Sequence, residues 1–157
     1  MLGAVLALHI AAGVVGLLLG AVVLTAPKRA GRHVVAGRAY QGAVALMTGT
    51  ALALVVSDPG RLWGLGIIAV ATEASALAGW VARRRHRPGW VVRHVVLMCS
   101  SYISFVTAAL VVNWASPLAW VVPTLIGAPL IARTVRRVRS ASGGSGPVAA
   151  VAGRAHL

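Results

Sequence analysis

The chain has 157 residues, 59% hydrophobic and only 11% charged, with a mean hydropathy of +0.86. That is too apolar for a water-soluble domain of this size. Its net charge of +13 comes from 15 Lys and Arg against 2 Asp and Glu. The cations fall between and after apolar runs, where they set membrane topology and meet anionic lipid; no nucleic-acid partner is expected.

Five runs are long enough to cross or nearly cross a bilayer, which takes about 20 residues, so the sequence predicts an all-α integral membrane helical bundle. The first, 2–26, has no charged leader and is too long for a signal peptide core, so it is expected to be retained. It contains Gly16-x-x-x-Gly20, a small-residue pattern that lets helix backbones approach. The second run, 39–57, leads into the turn Ser57-Asp58-Pro59-Gly60-Arg61. The third, 62–82, holds Glu73 and ends in the block RRRHR at 83–87. The fourth, 95–115, follows Pro88-Gly89 and contains the lone cysteine, Cys99, which allows neither an internal disulfide nor a cysteine metal cluster. The fifth, 117–132, is shorter, and Pro123 and Pro129 predict a kink.

The bundle is thus expected over 1–139, with the Ser/Gly/Ala-rich segment 140–157 a disordered tail and no second soluble domain. Fourteen of the fifteen Lys and Arg residues lie in 27–38, in 83–93 or beyond 132, and only Arg61 lies on the other side. The positive-inside rule then puts the N-terminus outside and the C-terminus in the cytoplasm of a bacterial inner membrane. The stretch RTVRRVR before the tail suits the anionic inner leaflet, where each cation contributes roughly 1 kcal/mol.

Two places carry candidate chemistry. Glu73 is the only acid inside a span, where a lone carboxylate costs at least about 2.5–3.5 kcal/mol, so it is either protonated or partnered within the bundle. At 1.5 Å per residue, Glu73 lies roughly 16 Å from one end of its helix, and His9 and Tyr102 lie at depths that let the three meet near mid-membrane. They form a candidate polar site for a proton or a polar substrate, beside the plainer alternative of helix-to-helix hydrogen bonding. The second place is a repeat: RHVV occurs at 32–35 and again at 93–96. It puts His33 and His94 at the starts of two parallel spans, at similar depth. Two facing histidines at one level suit a bis-imidazole haem b, and Gly37, one turn after His33, leaves room for its face. The competing reading is a pair of interfacial anchors. His86 reads as a solvated loop residue. Trp63, Trp90, Trp114 and Trp120 fall near span ends, where aromatic belts belong.

With these residues in view, the chain resembles an uncharacterised group of small bacterial membrane proteins known only as a domain of unknown function. The likeness rests on LHIAAGVVGLLLG with His9, on His33, Gly37, Arg38 and Tyr40, and on Trp90, His94, Met98, Ser101 and Tyr102, and it spans roughly 5–115. Val34 stands where members usually carry Arg. The resemblance implies a polytopic bundle and a role for the three histidines, with no reaction attached. A looser likeness, to membrane cytochromes of the b561 kind, rests only on histidines near helix ends. Three readings stay open: a haem-binding or redox accessory protein using His33 and His94, a proton-coupled carrier centred on Glu73 and His9, and a structural subunit. The last would glue to a larger membrane protein or to its own copies. No hydrolase, kinase or phosphate-binding motif is visible, so the sequence leans away from an enzyme.

Overall fold

The computed structural model describes residues 1–27, 31–114 and 116–143. It contains five α-helices: α1 (Leu2–Thr25), α2 (Arg32–Ser57), α3 (Pro59–Arg85), α4 (Trp90–Asn113) and α5 (Leu118–Gly143). All five are long and apolar enough to cross a membrane, and no strand occurs among the described residues. The helices overrun the apolar runs. α2 begins at Arg32 rather than near 39, and α5 continues unbroken through Pro123 and Pro129 to Gly143. Hydropathy marks the hydrocarbon crossing, whereas Arg, His and Ala extend a helix beyond it because their propensity is adequate. The expected tail lies outside the described residues from 144 onward.

Short connections fix the order. A single residue, Asp58, separates α2 from α3, and Pro59 occupies the first turn of α3, where its missing N–H costs nothing. α2 and α4 each begin after a glycine with positive φ, Gly31 at 105° and Gly89 at 75°, a backbone region that an L side chain enters only with strain. His86, at φ 44°, ends α3 and sets its ring edge-on to Trp90 at 4.8 Å.

α1 packs on α2, α2 on α3, α3 on α4, and α4 touches α1, so four helices close a ring, with α5 outside it along α4. α2 and α4 lie on a diagonal of the ring, and among the described residues their Cα atoms do not come within 8 Å. The core is built from Ala12, Tyr40, Val44, Met47, Ala76 and Phe105. α4 supplies the knobs. Phe105 fills the notch at Gly16 and Tyr102 the one at Gly20, Met98 sits over Gly79 of α3, and Ile103 over Gly127 of α5. A Cβ on Gly16 would lie 2.6 Å from Phe105 Cε1. The Gly16-x-x-x-Gly20 pattern therefore admits aromatic rings rather than a neighbouring helix backbone. Outward faces are mostly apolar, as at Leu18 (64% exposed) and Leu125 (67%). Against lipid such side chains gain nothing by turning inward, so notch packing and interhelical hydrogen bonds hold the ring.

Candidate functional site

The polar groups inside the ring are held in three tiers. The central tier joins α2 to α4. Tyr40 OH and Ser101 Oγ are 2.8 Å apart, with Tyr40 2% and Ser101 0% exposed. Tyr102 tilts against the Tyr40 ring, centroids 6.4 Å apart, and donates its hydroxyl to Leu17 O at 3.1 Å.

This tier sets a register. Tyr40 and Ser101 are 61 residues apart, and so are His33 and His94, and so are Arg32 and Arg93. α2 and α4 are parallel, and seven residues are close to two full turns. His33 and His94 therefore sit at one level, on the same helix faces as the bonded pair, roughly 10 Å nearer the amino ends of α2 and α4. Both are half-buried. His94 Nδ1 lies 2.9 Å from Gly79 O on α3. A carbonyl only accepts, so Nδ1 carries the proton, and in the neutral ring Nε2 keeps its lone pair. Beside Gly37 a Cβ would meet nothing within 4 Å, so space is open there.

The third tier lies toward the opposite ends of these helices. His9 of α1 places Nδ1 3.1 Å from both Met47 O and Thr50 Oγ1 on α2. Thr50 spends its own proton on Leu46 O and Met47 O, so it accepts from His9, and this ring too is protonated at Nδ1. His9 lines a cavity of about 220 Å³, partly open, between α1, α2, α3 and α4.

Glu73, His9 and Tyr102 share no hydrogen bond with one another among the described residues. Each is partnered by a helix next to its own: Glu73 and His9 by α2, Tyr102 by α1. Similar depth is not enough; the side chains must also point into one sector of the ring. Gln41 Nε2 donates to Glu73 Oε1 at 3.1 Å, while Gln41 Oε1 and Glu73 Oε2 are buried and meet no donor among the described residues. Gln41 was not paired with Glu73 from the sequence. The usable signal was symmetry: Gln41 and Glu73 stand nearly equidistant from the one-residue turn at Asp58, so an antiparallel hairpin brings them level. His86 is exposed, its Nδ1 3.2 Å from Arg84 O, and no cluster of three metal-ligating side chains occurs among the described residues.

Comparison with known proteins adds family membership and nothing on chemistry. No curated protein and no solved structure matches the chain, so the looser likeness to b561-type cytochromes gains no support. A family model, described as "Predicted membrane protein (DUF2306)", a domain of unknown function, matches residues 6–138. That span takes in every tier described above, and the chain, a multi-pass membrane protein of five apolar helices, belongs to this family.

Proposed function

We propose that the chain is a haem-binding accessory protein of a bacterial inner membrane, N-terminus outside, that holds haem b between α2 and α4 through His33 and His94. The observation that carries this reading is the common 61-residue offset, which levels the two histidines across a ring diagonal whose backbones stand apart.

The surrounding residues fit such a group. The bond to Gly79 O fixes the His94 tautomer and leaves Nε2 for a metal. Gly37 leaves open space one turn beyond His33. Arg32 and Arg93, each preceding a histidine, are suited to the two propionate carboxylates. The Tyr40–Ser101 pair closes the floor two turns deeper. Bound there, haem supplies one-electron redox chemistry. The chain's own residues ligate it, orient it and exclude water, and none is assigned a proton transfer. With the cationic ends in the cytoplasm, the site lies near the inner boundary of the membrane.

The test is spectroscopic. Protein purified in mild detergent, with and without added haemin, should show a Soret band that sharpens on dithionite reduction together with an α-band. His33→Ala and His94→Ala should each abolish the reduced bis-histidine spectrum. A protein that stays colourless with added haemin, or a spectrum unmoved by either variant, overturns the proposal and leaves the paired histidines as membrane anchors of a structural subunit.

A further inference from the structure

The cavity beside His9 is a second site, independent of the haem reading, and its chemistry is weighted toward acceptors. Three polar side chains line it: His9, Thr72 and Asn113. His9 and Thr72 have spent their donors on their surroundings, and Asn113 one of its two. His9 gives its Nδ1 proton to α2, Thr72 Oγ1 donates to Ile68 O at 2.7 Å, and Asn113 Nδ2 donates to Ala109 O at 2.8 Å. What remains is His9 Nε2, the lone pairs of Thr72 Oγ1, and the carbonyl oxygen and second N–H of Asn113, so acceptors outnumber donors three to one. The rest of the lining is apolar and carries no charged group.

The opening has a direction. The seam between α1 and α4 is shut toward the carboxyl end of α1, where Phe105 fills Gly16 and Tyr102 fills Gly20. Phe105 forms the floor of the cavity. Above it α1 contributes Ile10, Gly13 and Val14 and α4 contributes Ala108, Ala109 and Val112; of these Ile10, Val14 and Val112 are 56%, 53% and 66% exposed. These exposed apolar side chains of a membrane-spanning ring face lipid, so the cavity borders the hydrocarbon on this side. A solute that reaches it is dissolved in the membrane.

We infer that this cavity binds a neutral, membrane-soluble alcohol or phenol, its ring or chain on Phe105 and its hydroxyl donated to His9 Nε2. A lipid acyl chain could fill the apolar space, but it has no donor to offer three acceptors. An ammonium ion would find no carboxylate in the lining. A hydroxyl on an apolar body meets both demands.

The experiment uses 2-naphthol and its donor-free isostere 2-methoxynaphthalene, titrated into the full chain in phosphatidylcholine nanodiscs, with empty nanodiscs subtracting partition. Naphthol should bind about tenfold tighter than the ether, the worth of one hydrogen bond. His9→Phe should erase that preference while leaving the ether's affinity within about twofold. Gly13→Leu should plug the cavity and abolish saturable binding of both. A Cβ at Gly13 meets nothing within 4 Å, so the fold tolerates the start of that side chain; unchanged helicity at the assay temperature verifies that both variants are folded, with some loss of melting temperature expected for His9→Phe. Equal affinities for the two probes in the unmodified protein mean that acyl chains or any apolar solute fill the space, and they overturn the proposal. So does a preference that survives His9→Phe, or binding that survives Gly13→Leu.

Discussion

The register of α2 against α4 hangs on one buried bond, and removing it from either side should cost different amounts. Tyr40→Phe leaves Ser101 Oγ behind. That hydroxyl can turn back to the carbonyl four residues earlier, as Thr107 does to Ile103 O at 2.9 Å. Its loss is therefore about 0.5–1 kcal/mol. Ser101→Ala instead strands the Tyr40 hydroxyl, on a side chain 2% exposed and held by its ring against Tyr102. A buried donor left unmade costs about 1–3 kcal/mol. The double variant should recover part of this, giving a coupling energy of about 0.6 kcal/mol and no more than about 1.7, the range for hydrogen bonds between membrane helices. Unfolding in mixed micelles by titrated dodecyl sulfate, followed by far-ultraviolet circular dichroism, measures all four species. A coupling indistinguishable from zero, or Tyr40→Phe costing more than Ser101→Ala, would refute the idea that this bond sets the register.

Three further outcomes are expected. Gly20→Leu should cost about 1–3 kcal/mol or more, because its side chain meets the Tyr102 ring; Gly42→Ala, where a Cβ meets nothing within 4 Å, should be neutral or slightly stabilising in the same unfolding assay. Glu73→Gln keeps an acceptor for Gln41 and should change stability by less than about 0.5 kcal/mol, whereas Glu73→Leu strands Gln41 Nε2 and should cost about 1–2 kcal/mol. For orientation, single cysteines placed in a Cys99→Ser background should react with an impermeant maleimide on intact cells at position 58 but at position 86 only after permeabilisation; the reverse pattern would overturn the N-out assignment.

What could be read directly from the chain was whatever lipid dictates locally. A crossing needs about 20 apolar residues, so five spans were visible, and cation placement gave an orientation. Partners within a hairpin, such as Gln41 and Glu73 about Asp58 or His9 and Thr50 about the α1–α2 connection, follow from counting outward from a turn. Contacts between helices that are not sequence neighbours do not follow this way. That α4 rather than α3 meets α1 is decided by the fit of Phe105 and Tyr102 into the notches at Gly16 and Gly20, and by Tyr102 reaching Leu17 O. The levelling of His33 with His94 was expected from the repeat, but the Tyr40–Ser101 bond that supports it was not. A tyrosine and a serine in separate spans look no different from any other polar pair until the diagonal is known.

The position of α5 outside the ring has a consequence for biogenesis. Every interhelical hydrogen bond described above, from His9 to Met47, Gln41 to Glu73, Tyr40 to Ser101, His94 to Gly79 and Tyr102 to Leu17, lies within α1–α4. The last of these residues to be translated is Tyr102. The ring can therefore close in the bilayer before the final helix has docked. α5 then docks on a finished surface, with Gly127 settling over Ile103.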